Sequence, residues 1–262
     1  MACAGAYPWV MPSADEIQGR WHETRVEIDA PVDVVWHALT DPAAIARWFA
    51  PKMTVQPGAG GHIVADWGPG LEWRTDIDLW EPNRRLRLVE SRDRVMSASP
   101  VEKRLEPCLL VQDYRLEAAG DRTVLSLVHS GFGEGAAWDK EYEGTRGGWA
   151  SCFLRLKHGL ERHRGAAVHN TIITSACEGQ DYLTVLERIE RAVPTPFEIV
   201  LRGKYEFTAL LHGWNGSLLS ASAIPSATGS IAYIELVLFG LPRAEATAAE
   251  WRAKMEGLFS KA

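Results

Sequence analysis

The residues with the clearest chemical potential lie on one face of a predicted strand near the middle of the chain. His129 follows Leu125 and Leu127 at a spacing of two, so all three side chains point to the same face. Because that face is apolar, we expect it to face the core, where burial favours the neutral imidazole over its charged form. Such a ring can orient a ligand, act as a base or bond to the backbone, and the sequence leaves these three roles open.

Two further polar residues are predicted to face inward on the preceding strand. Gln112 and Tyr114 share a face with Leu110 and Leu116, and both side chains can donate and accept hydrogen bonds. A few polar groups on an apolar wall are typical of a pocket for a small molecule. Gln112 and Tyr114 are therefore candidate ligand-binding residues.

The segment 72–79 alternates charged with uncharged residues and offers paired carboxylates. Asp76 and Asp78 have the chemistry of an acid–base couple, but mixed charges at period two are typical of the solvent face of a half-buried sheet. We favour the solvent face. Trp73 is then predicted to point inward, towards the long helix and any cavity.

His158 and His163, with Glu161 between them, have the composition of a metal site. Because the two histidines are five residues apart on a predicted helix, we expect their rings to point in different directions. The chain also lacks an HExxH motif. We therefore predict no metal site and no cofactor.

The glycine-rich segment 131–135 lies between a predicted strand and a predicted helix. Its spacing is not GxGxxG, and its strand belongs to an antiparallel meander, which argues against a dinucleotide site. It is interpreted either as an ordinary loop or as a mobile gate in which Phe132 plugs a cavity. Phe132 is a ligand-binding candidate on the second interpretation.

These candidates are positioned by a predicted order of elements within residues 21–165. A strand over 23–28 is followed by two short helices, and the apolar pattern then changes from period 3.6 to period two. Short turns between successive strands predict an antiparallel meander. A long helix over 138–164 ends the segment. The predicted strands of the meander are 52–56, 61–67, 71–80, 84–91, 108–117 and 122–130.

The long predicted helix has an apolar stripe that includes Trp149 and Phe153. A core stripe and a ligand-binding wall explain these two residues equally well. Gly147 and Gly148 interrupt the helix, and each costs ~1 kcal/mol relative to alanine, so the pair predicts a kink or a close backbone approach. A sheet curved around this helix leaves a hollow between them.

Composition and charge limit the class of protein. At 262 residues, with 46% hydrophobic and 24% charged residues, the chain is typical of a soluble globular protein. The net charge of −6 argues against nucleic-acid and membrane-surface partners, and no apolar run reaches the ~20 residues of a membrane span. Without a secretion signal or CxxC spacing, we expect a cytoplasmic protein. The four cysteines are Cys3, Cys108, Cys152 and Cys177.

Several sequence motifs between Val26 and Phe132 resemble motifs of a known superfamily. They are Val26-Glu-Ile-Asp-Ala-Pro31, Val35-Trp-His-Ala-Leu-Thr-Asp-Pro42, Ala46-Arg-Trp-Phe-Ala-Pro51 and Leu125-Ser-Leu-Val-His-Ser-Gly-Phe132. Over about residues 20–165 the chain resembles the START-like helix-grip superfamily (SRPBCC), and within it the group homologous to the activator of the heat-shock-chaperone ATPase. The resemblance implies an α+β fold, with an antiparallel sheet wrapped around a long C-terminal helix. It also implies a cavity for a hydrophobic or amphipathic ligand, without fixing a substrate.

Residues 166–262 lie outside the resemblance. Their predicted order of strand, helix, meander and long helix is a shortened version of the first, so we predict a smaller α+β domain that is a reduced helix-grip copy. The predicted strand over 230–239 is apolar on both faces. It should therefore be covered on both, by packing of this domain on the first through a largely apolar surface, or by a second copy in a homodimer. The predicted divisions are a leader over 1–20, a helix-grip domain over 21–165 and the smaller domain over 166–262.

We therefore expect a protein that binds a hydrophobic small molecule, and we assign no reaction to it. One alternative is a polyketide cyclase- or aromatase-like enzyme, in which His129 acts on the ligand, or a resistance protein that sequesters a reactive metabolite. A co-chaperone-like ATPase activator is disfavoured, because the additional N-terminal domain of the eukaryotic activator has no counterpart that we can find. The candidate ligand-binding residues are Trp73, Gln112, Tyr114, His129, Phe132, Trp149 and Phe153.

Overall fold

The computed structural model describes residues 19–68, 72–91, 109–194 and 196–259. Within these residues the chain forms two antiparallel sheets, one of seven strands and one of five. Most of the predicted leader, together with Cys3 and Cys108, lies outside the described residues. The first sheet comprises β1 (Arg20–Ile28), β2 (Lys52–Gln56), β3 (His62–Asp66), β4 (Glu72–Glu81), β5 (Arg85–Ser91), β6 (Leu109–Ala119) and β7 (Arg122–Phe132), in the spatial order β1-β7-β6-β5-β4-β3-β2.

In the first sheet, the first strand of the chain pairs with the last. β1 pairs with β7, and the helices α1 (Val32–Thr40) and α2 (Pro42–Ile45) take the chain to the far edge, where β2 begins the meander. α2 starts because the side chain of Asp41 accepts a hydrogen bond from the backbone N–H of Ala44. This path matches the predicted helix-grip order.

One helix fills the concave face of the first sheet. α3 (Ala136–Arg162) places Trp149, Phe153 and Leu156 in a core that the inner faces of β4 to β7 complete. The helix continues without a break through Gly147 and Gly148. A Cβ atom on Gly147 would lie 2.4 Å from a carboxylate oxygen of Glu206, so a close approach, and not a kink, accounts for this glycine.

The predicted alternation of β4 changes at Asp78. The pairing of β4 with β5 shifts between Ile77 and Leu79, which leaves Asp78 as the extra residue of a β-bulge. After the bulge Trp80, and not Leu79, joins the inner face and packs on Trp36, with the ring centroids 5.2 Å apart. Strict period two therefore predicts the inner face of β4 only as far as Ile77.

The second sheet repeats the path of the first with fewer strands. Its first strand again pairs with its last, a helix again takes the chain to the far edge, and a long helix again follows the meander. This is the reduced helix-grip order that the sequence predicts. The elements are β8 (Val168–Glu178), α4 (Tyr182–Ala192), β9 (Phe197–Arg202), β10 (Glu206–Leu211), a 3-10 turn (His212–Trp214), β11 (Ser217–Ser226), β12 (Gly229–Phe239) and α5 (Ala244–Phe259), with the strands in the order β8-β12-β11-β10-β9.

α3 also contacts the second sheet, through polar side chains. The hydroxyl oxygens of Ser151, Thr208 and Ser220 lie 3.0–3.1 Å from one another. Beside them the buried guanidinium of Arg155 lies 3.0 Å from the carboxylate of Glu235. Apolar contact continues at the end of α3, where the buried ring of Phe239, on β12, stacks on the ring of His163 with the centroids 4.4 Å apart. Packing of the second domain on the first through a largely apolar surface stays a prediction.

Candidate functional site

A cavity lies between the inner face of the first sheet and the corner formed by α1 and α2. Among the described residues, no residue of α3 is part of its lining, so the cavity does not lie between the sheet and the long helix, where the sequence predicts it. Its volume is about 40 Å³, roughly the room of three water molecules. Among the described residues, the lining contains no charged side chain. Its aliphatic wall includes Leu39, Ile45, Met53, Ile63, Leu86 and Leu88.

Partly exposed aromatic rings separate the cavity from solvent. Phe49, which lines the cavity, stacks on Trp149 with the ring centroids 5.4 Å apart and the planes 3° from parallel. Its ring also contacts Trp67 and Trp73, at centroid distances of 5.3 Å and 6.2 Å. Phe49, Trp67 and Trp73 are each partly exposed. We call these three residues the aromatic mouth.

The segment before the aromatic mouth is held by two buried hydrogen bonds. The indole Nε1 of Trp48 donates to the carbonyl oxygen of Ala38 at 2.9 Å. The Nε atom of Arg155 donates to the carbonyl oxygen of Trp48 at 3.0 Å. The backbone next to Phe49 is therefore fixed from α1 and from α3, while the ring of Phe49 itself reaches solvent.

The inner end of the cavity carries a polar pair. The hydroxyl of Tyr114 donates to Oε1 of Gln112 at 3.0 Å, and both residues are buried. Burial raises the pKa of Tyr114 well above its usual value, and the nearby Cys152 and Glu90 act in the same direction. The phenol is therefore neutral and serves as a donor.

A row of polar residues continues from this pair beneath α3. His129 is the cross-strand partner of Gln112 on one side and of His22 on the other. The indole Nε1 of Trp149 donates to Nδ1 of His129 at 3.0 Å. Because an indole N–H can only donate, Nδ1 is an acceptor, and the neutral ring carries its hydrogen on Nε2.

His22 lies at the end of this row. Its Nε2 atom is 3.1 Å from the hydroxyl oxygen of Thr145, and that hydroxyl donates to carbonyl oxygens of α3. His22 is therefore the donor in the bond to Thr145. Burial, followed by the positive charge of Arg146, lowers the pKa of His22 to about 4.

Three of the seven predicted ligand-binding residues line the cavity, and the other four do not. Trp73, Gln112 and Tyr114 are part of the lining. Trp149 forms a second layer behind Phe49. Contact of a ligand with any of the seven stays a prediction. The four residues outside the lining are all buried, and they are His129 and Phe132 on β7 and Trp149 and Phe153 on α3.

Close packing explains the glycines at the start of the segment 131–135. Phe132 is the last residue of β7, is 1% exposed and packs with Leu110 and Trp138. A Cβ atom on Gly131 would lie 2.1 Å from the carbonyl oxygen of Leu109, and one on Gly133 would overlap the ring of Trp138. These glycines permit close approaches, and Phe132 does not lie at the aromatic mouth.

Sequence reasoning missed three residues that belong to this region. Phe49 precedes Pro51, and the apolar pattern of the short helix before it does not distinguish a core position from a cavity position. His22 lies one residue before the predicted start of β1. Glu90 is 3% exposed and alternates with inward-facing residues of β5, so period two would have indicated its inward direction.

The histidine pair near the end of α3 departs from the prediction. The ring centroids of His158 and His163 are 5.0 Å apart, because the helix ends at Arg162 and His163 has a non-helical φ of −133°. His158 contacts the carbonyl oxygen of Gly216 at 2.7 Å. Across the described ranges, no group of three or more His, Cys, Asp or Glu side chains is arranged to hold a metal ion. In the same ranges no helix has the length and apolar character of a membrane span.

Comparisons with solved structures find several similar chains. Protein MLL2253 from Mesorhizobium loti is 25% identical over 53% of this chain and 95% of its own, with a TM-score of 0.44. CalU16 from Micromonospora echinospora is 29% identical over 53% of this chain and 74% of its own, with a TM-score of 0.41. DynU16, from the dynemicin biosynthetic locus, is 19% identical over 91% of this chain and 95% of its own, with a TM-score of 0.42.

A search of curated proteins finds no significant match. The family model described as "Activator of Hsp90 ATPase homolog 1-like protein" matches residues 29–161. That range runs from the end of β1 almost to the end of α3, and it contains every residue of the cavity lining. It covers the first domain from α1 almost to the end of α3, and it covers half of the chain. The chain therefore belongs to the AHSA1 family.

Proposed function

We propose that this protein binds a small apolar molecule in the cavity between the first sheet and the α1–α2 corner. The observation that carries the proposal is the lining itself, an uncharged wall of aliphatic and aromatic side chains with one polar pair at its inner end. Pockets for small molecules combine such a wall with a few polar groups that fix orientation.

Binding requires the aromatic mouth to open. The cavity of about 40 Å³ is far smaller than the ~300–1,000 Å³ of typical ligand pockets. Phe49 is partly exposed and lies between α2 and β2, outside regular structure. Its ring can therefore turn towards solvent without breaking a strand or a helix, and the space it leaves adjoins Trp73.

The geometry favours binding over acid–base catalysis. His129 is fully buried and its Nδ1 atom is occupied by Trp149. It also lies outside the cavity lining. A ligand in the cavity would meet Gln112 and Tyr114 before it met His129, and neither of these two is suited to remove a proton near neutral pH.

The test measures binding of fluorene to the full-length protein by quenching of tryptophan fluorescence. Ala65 lines the cavity and is 3% exposed, so Ala65→Val should fill part of the space and weaken binding at least fivefold. Ala118→Val, the same change at an exposed position of β6, is the matched control and should bind like the wild type. Phe49→Ala removes the ring that must move, and should speed association.

The same experiment can overturn the proposal. A wild-type protein that takes up no fluorene, or equal affinities for Ala65→Val and Ala118→Val, would place any binding outside this cavity. Native mass spectrometry of protein purified from its own host is the independent check, because a bound apolar compound should co-purify with the wild type and be reduced in Ala65→Val.

A further inference from the structure

We infer that the ligand of this cavity carries a carbonyl-type hydrogen-bond acceptor on a flat apolar body, and that the side-chain amide of Gln112 selects for that acceptor. The inference rests on the proposed function, because it concerns the same cavity. It adds the class of ligand and the residue that determines specificity.

The side-chain amide of Gln112 has one acceptor oxygen and two N–H donors. Its Oε1 atom accepts from the hydroxyl of Tyr114 at 3.0 Å. That leaves the two N–H groups of Nε2, and among the described residues no group accepts a hydrogen bond from them. Gln112 is 3% exposed and lines the cavity. Amide donors that face a cavity are satisfied by protein, water or ligand, so a ligand that displaces water from this cavity must supply the acceptor for these two donors.

The acceptor on the ligand should be neutral. The cavity lining contains no charged side chain among the described residues. Moving an anion from water into such a site carries a desolvation cost that two amide N–H groups do not offset. A neutral acceptor, such as the oxygen of a ketone or quinone, avoids that cost and is bound by the same donors.

The inner end of the cavity disfavours a ligand that only donates. Oε1 of Gln112 already accepts one hydrogen bond, from Tyr114, and has one lone pair left. Thr75, which also lines the cavity, has a hydroxyl that can donate or accept. A ligand that only donates would leave both N–H groups of the Gln112 amide unsatisfied, whereas an acceptor on the ligand satisfies them.

The shape of the ligand follows from the aromatic mouth. Phe49 and Trp149 stack almost in parallel, and the rings of Trp67 and Trp73 are 6.1 Å apart with their planes at 27°. When Phe49 turns outward, it leaves a slot between indole faces. A flat ring system fills such a slot and keeps the offset stacking that aromatic groups prefer.

The test compares three tricyclic compounds of nearly equal size: fluorene, 9-fluorenone and 9-fluorenol. Binding to the full-length protein is measured by calorimetry and by tryptophan quenching. The wild type should bind the ketone about tenfold more tightly than the hydrocarbon. Gln112→Met and Gln112→Leu remove the donors, so either variant should bring the two affinities to within twofold of each other. Ala118→Val, at an exposed position, should keep the wild-type ratio.

A second variant distinguishes a role of Tyr114 in ligand recognition from a role in the stability of the fold. Tyr114→Phe leaves Oε1 of Gln112 unoccupied and keeps the aromatic ring in place. Both lone pairs of Oε1 are then open to a donor on the ligand, so the alcohol should gain about fivefold relative to the ketone. A merely structural role of Tyr114 would weaken all three compounds alike.

The outcomes are distinguishable from failure of the proposed function. If fluorene and fluorenone bind the wild type equally, or if Gln112→Met keeps the preference for the ketone, this inference is overturned while the apolar cavity stands. If none of the three compounds binds, the proposed function fails, and the inference fails with it.

Discussion

The guanidinium of Arg155, on α3, lies 3.0 Å from the carboxylate of Glu235, at the centre of β12, and both side chains are buried. The same guanidinium contacts the carbonyl oxygen of Trp48, the hydroxyl of Ser220 and the sulfur of Cys152. Arg155 therefore links the backbone beside the aromatic mouth to the second sheet. A buried ion pair of this kind has large opposing energies, because desolvation of both charges offsets their attraction.

Removal of one partner from this pair should be costly. Glu235→Leu leaves the guanidinium buried without its counter-charge, and should lower the free energy of unfolding by about 3–5 kcal/mol. Arg155→Met should cost a similar amount. The double variant, which buries no charge, should lose much less than the sum of the two. Urea unfolding of the four proteins gives this coupling.

The exposed pair Arg191–Glu187 on α4 is the control for that cycle. Its side chains are 76% and 64% exposed, and surface pairs contribute about 0–1 kcal/mol. Arg191→Ala should therefore leave the midpoint of unfolding almost unchanged. Additive losses at Arg155 and Glu235 would show that the two charges are not coupled.

The paired glycines of α3 should respond in different ways to alanine. A Cβ atom at Gly148 would meet nothing within 4 Å, so Gly148→Ala should stabilise the protein by up to about 1 kcal/mol through helix propensity. A Cβ atom at Gly147 would displace the carboxylate of Glu206, which accepts a hydrogen bond from the backbone N–H of Tyr205 at 3.3 Å. Gly147→Ala should therefore be less stable than Gly148→Ala, by no more than about 1 kcal/mol because the displaced carboxylate is the flexible end of its side chain. Equal thermal midpoints for the two variants would contradict the close approach.

Because the pKa of His22 is lower in the folded protein than in the unfolded chain, the protein should be less stable in mild acid. The unfolded chain binds a proton near the usual pKa of 6.5, whereas the folded chain binds it only near 4. Between these values the unfolded state binds more protons, so the free energy of unfolding falls as the pH falls. His22→Gln should remove about 2 kcal/mol of the loss between pH 7 and pH 4.5.

Chemical unfolding of both proteins at the two pH values measures this difference. Burial also lowers the pKa values of His158 and His163, but these residues are present in both proteins and cancel in the comparison. His37→Gln changes an exposed histidine and should behave as the wild type does. A pH dependence in His22→Gln equal to that of the wild type would rule out this account.

Cys152 should be inert in the folded protein. Burial raises the pKa of its thiol to about 11, although Arg155 acts in the opposite direction, so roughly one thiol in a thousand is ionised at pH 8. In a chain with Cys3 and Cys108 replaced by serine, iodoacetamide at pH 8 should label Cys152 only as fast as the protein unfolds. A cysteine introduced at the exposed position of Ala118 is the reactive control. Rapid labelling of Cys152 without unfolding would mean that α3 leaves its place on the sheet.

The sequence predicts most elements because the strands are antiparallel, short and joined by turns with clear chemistry. The predicted bounds of β2, 52–56, coincide with the observed strand. The start of α4 also follows from a local signal, because the side chain of Asp181 accepts from the backbone N–H groups of Leu183 and Thr184. Both features depend on neighbours within a few residues, which local patterns record.

The features that local patterns miss depend on distant contacts. The bulge at Asp78 is set by pairing with β5. The pair Arg155–Glu235 joins residues far apart in the chain, and neither residue has a local signal for its partner. The size of the cavity is likewise decided by how Phe49 rests on Trp149, which no spacing of residues encodes.

The pairing of β1 with β7 has a consequence for how the chain forms on the ribosome. Val26 pairs with Leu125, so β1 has no partner until almost a hundred further residues have been made, and such long-range pairing is slow. Until then both edges of the strand are open to association with other chains, and one stays open afterwards because β1 is the outermost strand of the sheet. Its outward positions carry Glu23, Arg25 and Glu27, all exposed in the finished sheet. Charged side chains oppose edge-to-edge association, so we expect the alternating charges of β1 to protect the strand before the fold exists as well as after.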